Sequence, residues 1–517
     1  MLKYVLKRIL IFIPTLIVVS LMIFGLSKVA PGDPVELRMS GGLQTGDTGQ
    51  ASDKQQGEKV YFEIAREMGL DLPSFYADFT SRAYPDTMYK VGRRYEKEML
   101  GRLCSKFGNW PQISTYYKSL KVFELSSYNI PKTEQTFDQL LNARATTNEL
   151  YREHNEDVIL VKLNNIKNSV SQTQTYDEVV INENGESDTT AVTKNLLQPL
   201  IANIDGVINN FTAVQQNAKP INKFIPKITW HGLKNQYHRW LFGDIPWFGK
   251  SDDPTLASYG FLRGDFGYSL RDGRPVWSVL KEGLAITVSM NLIAIFLIYA
   301  IAIPLGVYIA VKRDSLFDRV STVTLFILYS LPTFWIATML LVFFTNSEYG
   351  MDFFPSFGLG LDKITPETSF FSKLRTLSYH AFLPILCMTY SGLAFLSRQM
   401  RGGVINVFSQ DYIRTARAKG LAESKIIWKH TFRNSLIPII TIFASLLPGM
   451  IGGSLIIEYI FSIPGMGNIA FGALLGRNWP VLFTVVMLSS ILTLLGILVS
   501  DILYSVVDPR ITFTKKA

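Results

Sequence analysis

LAITVSMNLIAIFLIYAIAIPLGVYIAV, residues 284–311, runs for 28 residues without one Asp, Glu, Lys or Arg. A helix needs roughly 20 mostly apolar residues to cross a bilayer, so this stretch is long enough to span one. Five further segments read the same way: 9–29, 320–345, 379–397, 436–461 and 481–507. The 379–397 span is the weakest, because Pro384, Ser391 and Gly392 dilute it. Membrane helices tolerate such residues where neighbours satisfy the freed backbone groups. Lys3, Lys7 and Arg8 before the first span resemble the charged start of a signal peptide. Its long apolar run, and Lys28 where a cleavage site wants a small residue, favour a retained anchor. The fold class that follows is all-α integral membrane, with six transmembrane helices.

The chain has 517 residues, 48% of them hydrophobic, and a net charge of +9. Residues 41–230 hold 21 Lys+Arg against 23 Asp+Glu, so the positive excess belongs to the apolar remainder. Basic charge beside apolar spans reports topology. Lys3, Lys7 and Arg8, the 312–319 loop, the 398–433 loop and Arg510, Lys515 and Lys516 all fall on one side, which is expected to be the cytoplasm. The alternate loops, including 463–480 with its single Arg477, fall outside, as does the polar block 30–283. Long translocated domains do not follow the charge rule, so the block's near-neutrality does not oppose this. No soluble basic face with interleaved aromatics is visible, which argues against a nucleic-acid partner. Cys104 and Cys387 lie in the polar block and in a span, so neither a disulfide framework nor a cysteine metal site is expected.

The domain reading is a first transmembrane helix in 1–35, an extracytoplasmic region over 36–283, and a core of five transmembrane helices over 284–510. Residues 82–230 read as a small, mostly helical inserted domain. Within it, 133–168 and 196–216 carry apolar residues at helical spacing. Val179-Val-Ile-Asn-Glu-Asn184-Gly185 suggests a β-hairpin. His154, His231 and His238 are scattered without metal-ligand spacing and read as ordinary surface or interface histidines. Trp230, Tyr237, Trp240, Trp247 and Phe248 read either as an aromatic belt or core near the membrane, or as a docking surface. No phosphate-binding G-x-x-x-x-G-K-[ST] loop, H-E-x-x-H, G-x-S-x-G or paired CxxC occurs, so no catalytic residue, metal or bound cofactor is expected in this chain. Were the chain to move a solute, the energy would have to come from another subunit or from an ion gradient.

Between the fourth and fifth spans, the loop 409–433 carries helix signals. Ser409 is placed to cap a helix, Asp411 suits its first turn, and Gly420 is a suitable left-handed stop. A second helix is expected over Glu423–Phe432. Spacing alone leaves two readings open, a contact for a soluble partner and a basic loop lying on anionic headgroups. In the fifth span, Pro448-Gly449 and Gly452-Gly453 would loosen or bend the helix. Glu458, near its outer end, is either a functional carboxylate at membrane depth or a structurally paired one. Pro464-Gly465-Met466-Gly467 cannot continue the helix and suggests a re-entrant turn.

Asp411–Gly420 followed by Lys429-His-Thr-Phe-Arg-Asn-Ser-Leu-Ile-Pro438 resembles the coupling loop of binding-protein-dependent ABC permeases. More narrowly, the chain resembles the first permease subunit of the dipeptide/oligopeptide/nickel branch. Matching segments include Ala30-Pro-Gly-Asp-Pro34, Gly69-Leu-Asp-Leu-Pro73, Gly264-Asp-Phe-Gly-Tyr-Ser269, Leu331-Pro-Thr-Phe-Trp335, Glu458-Tyr-Ile-Phe-Ser-Ile-Pro-Gly-Met-Gly467 and Asp508-Pro-Arg510. They cover 1–80 and roughly 232–513, in order. The wider permease signature has Glu-Ala-Ala, three residues, then Gly; this chain has Arg414-Thr415-Ala416 before Gly420, and Phe432-Arg433 in place of the later Leu-Pro. The insertion at 81–231 is foreign to the usual subunit.

The resemblance implies a half-transporter. A second homologous permease subunit would complete the path through the lipid bilayer. Two ATPase subunits would bind ATP and magnesium, and an extracytoplasmic binding protein would deliver a peptide or similar small solute. Asp411, Arg414, Thr415, Ala416, Arg417, Ala418, Lys419, Gly420 and Leu421 would couple to the ATPases. Pro332, Trp335, Pro448, Gly449, Glu458, Pro464 and Gly465 are candidates for a gate or path. The inserted domain would dock the binding protein or touch the partner permease. Placement in a bacterial inner membrane, with both termini cytoplasmic, is expected. Two other readings are a membrane-anchored extracytoplasmic receptor and an ion-gradient carrier. Six spans exceed what an anchor needs, and no matching half-repeats are visible for a carrier.

Overall fold

The computed structural model describes residues 2–30, 32–40, 51–130, 133–181, 187–248, 258–446 and 454–507. The chain divides into two compact units, Met1–Ala30 with Phe266–Ala517, and Pro31–Asp265. It is mostly helical. Among the described residues, the strands form only two-stranded sheets.

The first unit opens with α1 (Leu2–Val29). The second unit then runs through α2 (Pro34–Ser40), α3 (Ala51–Glu67), β1 (Ala77–Ser81), α4 (Arg94–Phe107), α5 (Trp110–Asn129), α6 (Phe137–Leu150), α7 (Glu156–Val170), β2 (Gln174–Ile181), β3 (Ser187–Lys194), α8 (Gln198–Gln216), β4 (Pro226–Trp230) and α9 (Gln236–Phe242). Helices α4–α8 bury one apolar face each, with Leu103, Tyr116, Phe123, Leu163 and Phe211 at the centre. The expected helix over 133–168 is two helices, α6 and α7, with a turn between them capped by the Asn155 side chain. Strands β2 and β3 pair antiparallel from Gln174–Lys194 to Ile181–Ser187. The Asn184-Gly185 turn lies outside the described residues. A partly exposed polar network lies beside this core. Lys121 Nζ donates to Glu96 Oε1 at 2.8 Å and Glu58 Oε1 at 3.0 Å. Burial works against the Lys121 ammonium, but these carboxylates outweigh it and hold its pKa above the ordinary value.

The first unit resumes with α10 (Val276–Val311), α11 (Leu316–Ser330), α12 (Thr333–Phe344), α13 (Phe370–Phe408), α14 (Asp411–Ala418), α15 (Glu423–Lys425), a π-helical turn (Ile426–Thr431), α16 (Phe432–Leu446), α17 (Leu455–Ile460), α18 (Met466–Leu475) and α19 (Trp479–Val507). Among the described residues, four helices are long and apolar enough to cross a membrane: α1, α10, α13 and α19. Helices α10 and α13 pack where glycine removes bulk. A Cβ on Gly306 would stand 2.6 Å from the Ser397 carbonyl oxygen, and one on Gly392 would stand 2.6 Å from Ile298 Cδ1. Small residues at such crossings let membrane helices approach closely. Helices α1 and α19 are joined by Phe24 against Phe483 and, near the other end of α1, by Asp501, which accepts from Tyr4 at 2.7 Å and pairs with Arg8 at 2.9 Å.

Two expectations change, and a third lies in part outside the described residues. The span 320–345 is not one helix: α11 and α12 meet at 94°. Pro332 has no N–H and restricts Leu331 to extended backbone, and the Tyr390 hydroxyl donates to the freed Leu331 carbonyl at 2.8 Å. The span 379–397 is the middle of a 39-residue helix that carries Pro384 inside it. That helix includes Arg398 and Arg401, which the sequence reading placed in the following loop. The span 436–461 is described only as α16 and α17, and Pro448, Gly449, Gly452 and Gly453 lie outside the described residues. So do Asp508-Pro-Arg510, Lys515 and Lys516.

Candidate functional site

The segment 409–421 leaves α13 and turns at Gln410, which is the N-cap of α14 in extended backbone without a side-chain cap. Ser409 does not cap this helix. It ends α13, and its hydroxyl donates back to the Asn406 carbonyl at 2.7 Å. The stop is the expected one. Gly420 is left-handed at φ 74°, its N–H donates to the Arg417 carbonyl, and Leu421 N–H reaches back to Ala416 at 3.2 Å. This is the Schellman pattern, in which glycine avoids the Cβ penalty. The second helix starts at Glu423 but widens into the π turn before entering α16, so it is not an independent element.

Helix α14 is held by one buried side chain, Ile413. Asp411, Arg414, Thr415, Arg417, Ala418, Lys419 and Gly420 are exposed, and Ala416 and Leu421 are half-buried. Arg417 donates to Glu423 through Nε at 3.2 Å and lies 5.4 Å from the Phe408 ring centre. Asn434 donates to the Tyr412 hydroxyl at 2.9 Å, tying α14 to α16. Lys425, Lys429 and Arg433 add exposed positive charge alongside. The result is a short, basic helix fixed at its ends: Arg417 is engaged by Glu423 and Arg414 stands 3.7 Å from Asp411, while Ala418 and Lys419 are exposed and make no side-chain bond among the described residues. The side chains that decide the chemistry are donors and small residues, suited to seating against another surface and not to bond making.

A Cβ added to Gly420 meets nothing within 4 Å. Inside this chain, glycine is needed there for its backbone angle alone.

The gate or path candidates divide. Glu458 and Gly465 are brought together. Glu458 is buried; its Oε2 accepts from Gly467 N at 2.7 Å and Asn468 N at 3.1 Å, and its Oε1 accepts from Thr287 at 2.9 Å. Thr287 Oγ1 also accepts from Met466 N at 2.8 Å. The first three N–H groups of α18, which have no partner within the helix, are thus satisfied by one carboxylate and one hydroxyl. A Cβ on Gly465 would stand 2.5 Å from Glu458 Oε2, so glycine is required there for space. Pro464 is exposed at the turn. Pro332 and Trp335 belong to a different feature, the break before α12, and both are exposed. Pro448 and Gly449 lie outside the described residues.

Three partners were missed in the sequence. Thr287 sits in the apolar span that opened the reading and carries no local signal. Asp318, buried in the first turn of α11, accepts from Arg401 Nε at 2.8 Å and Nη2 at 2.9 Å. Arg401 therefore serves an internal ion pair as well as the topology. Asn478 joins the loop before α10 to the α18–α19 turn, donating to Ser269 at 2.7 Å and accepting from Leu270 N at 3.0 Å. Among the described residues, no cluster of His, Cys, Asp and Glu is arranged to hold a metal.

Residues 302–513 match the family model for the binding-protein-dependent transport system inner membrane component. The oligopeptide transport system permease protein AppB of Bacillus subtilis (strain 168) is 35% identical over 268 residues, 51% of this chain and 82% of its own length. The dipeptide transport system permease protein DppB of Escherichia coli (strain K12) is 32% identical over 304 residues, 55% of this chain and 88% of its own. Among solved structures, the MetNI methionine ABC transporter in an inward-facing form is 20% identical over 45% of this chain and 98% of that chain, with a TM-score of 0.36. On the coverage and identity of its curated relatives, this chain belongs to the family of binding-protein-dependent transport system inner membrane components: it is a multi-pass inner membrane permease subunit of an ATP-driven importer, non-catalytic itself, with the ATPase activity in partner subunits.

Proposed function

We propose that the segment Asp411 to Leu421, made of α14 and the turn that ends it, is the coupling helix that seats in an ATPase partner. The observation that carries this reading is the disposition of α14: one buried anchor, Ile413, and an outward set of Asp411, Arg414, Thr415, Arg417, Ala418 and Lys419. ATP and magnesium are bound by the ATPases, whose closure pushes α14 and rocks the membrane helices between inward and outward access. Small residues allow close seating, and the charges set register. The test is copurification of ATPase subunits with chains carrying Arg414→Glu. Reduced recovery with normal permease abundance supports the assignment, and normal recovery with normal uptake contradicts it.

The substrate class we assign is peptides or similar small solutes, since the matched relatives are named as oligopeptide and dipeptide permeases. A second permease subunit completes the path, and an extracytoplasmic binding protein delivers the solute. The chain crosses the membrane six times, α11 and α12 forming one broken crossing, with both ends and α14 on the cytoplasmic side. Residues 31–265 are extracytoplasmic, and helices α4–α8 dock the binding protein or the partner permease. Unchanged binding-protein affinity and uptake after deletion of 85–228 would exclude that docking role. Pro332 and Trp335 lie on the path or gate. Glu458, Pro464 and Gly465 shape the outer turn, with the Glu458 carboxylate committed to α18 and unavailable to solute.

A further inference from the structure

Sheet β1–β4 in the second unit presents its apolar face outward. The register places Phe79 opposite Ile228 and Ala77 opposite Trp230. Phe79, Ile228 and Trp230, with Ile221 and Phe224 of the 3₁₀ turn before β4 and Leu233 after it, are between 65% and 81% exposed. The other face of the sheet carries the polar groups, and these are satisfied internally. Lys227 pairs with Asp86, Thr229 donates to Asp86 at 2.8 Å, and Asp78 meets His231 at 2.9 Å. The Lys227 ammonium, together with the Thr229 hydroxyl, holds the Asp86 carboxyl below its usual pKa range. A sheet in water is ordinarily arranged the opposite way, with apolar residues inward.

The charge around this face says what covers it. Between Asp205 and Asp244 the sequence has no carboxylate and five Lys or Arg. Lys227 and Arg239 are paired with Asp86 and Asp244. Lys219, Lys223 and Lys234 are exposed and, among the described residues, have no carboxylate partner. They bracket the apolar face in sequence on both sides. Exposed Phe, Ile and Trp flanked by unpaired lysines match a headgroup interface, where rings sit at the ester level and ammonium groups meet phosphates. The protein is membrane-embedded, so such a surface is always within its tether.

We propose that the β1–β4 face, with Ile221, Phe224 and Leu233, rests on an anionic phospholipid surface as an interfacial foot. The test uses the full chain in nanodiscs of equal phosphatidylglycerol and phosphatidylcholine, or of phosphatidylcholine alone, with brominated acyl chains. An environment-sensitive fluorophore is placed at Ile228→Cys on the apolar face and, as control, at Thr229→Cys on the other; the native Cys104 and Cys387 are buried. The expected result is quenching at position 228 several-fold greater than at 229. Changing Lys219, Lys223 and Lys234 together to Gln is expected to lower the quenching at 228 in the anionic discs and leave 229 unchanged. Equal quenching at the two positions, no effect of the lysine changes, or shielding of 228 that appears only when a binding protein or second permease is added, would each overturn the proposal.

Discussion

Helix α14 and the Glu458 turn are built from similar materials, a short helix with charged and small residues, yet they spend them in opposite ways. In α14 the charged groups point outward and only Ile413 is buried. At the Glu458 turn the carboxylate is buried and its oxygens are taken by Thr287, Gly467 and Asn468. The glycines differ accordingly. Gly420 needs its left-handed backbone and has open space around it, whereas Gly465 has an ordinary backbone and no space. A residue whose contacts are all internal is a part of the scaffold. One left exposed by its own chain, as Ala418 and Lys419 are, is available to the ATPase contact proposed for this segment.

That contrast breaks if mutation at the two sites has the same signature. The largest effect is expected from Glu458→Ala, which leaves the buried Gly467 and Asn468 N–H groups unpaired; loss of a charged hydrogen-bond partner of this kind costs about 3 kcal/mol. Thermal unfolding of the purified subunit should show it, and uptake should fall only as folded protein falls. Next comes Gly465→Ala, where the new methyl group meets Glu458 and Thr287; crowding of a packed site costs about 2 kcal/mol. Asp318→Asn should cost about 1.5 kcal/mol by weakening the charge-assisted hydrogen bonds between the buried carboxylate and the partly exposed Arg401. A smaller loss, about 1 kcal/mol, is expected for Gly420→Ala from the left-handed angle alone.

The local parts of this architecture were legible because their causes are local. The apolar spans, the exit at Gly420 and the turn at Pro464-Gly465 follow from hydrophobic length and backbone preference. Ser409 misled because it is a favoured capping residue one position too early: the helix starts after Gln410, which makes no side-chain cap, and the Ser409 hydroxyl bonds back to the helix before it. The break at Leu331–Pro332 was not read because 320–345 carries no charged residue and is apolar on average, and hydropathy does not register direction. Thr287 was invisible for another reason: its partner Glu458 is 171 residues away, and a threonine in an apolar helix looks the same with or without one. Asp318 and Arg401, 83 residues apart, were hidden in the same way.

The most direct test is Ala418→Trp on the exposed face of α14, measured for solute uptake and ATP hydrolysis in reconstituted vesicles alongside thermal stability. A surface substitution away from internal contacts should shift stability by no more than about 0.5 kcal/mol. The account predicts that uptake nevertheless falls at least tenfold and that solute no longer stimulates ATP hydrolysis. Wild-type uptake in a stably folded Ala418→Trp chain would contradict the assignment of α14 as the contact that carries ATPase motion into the membrane.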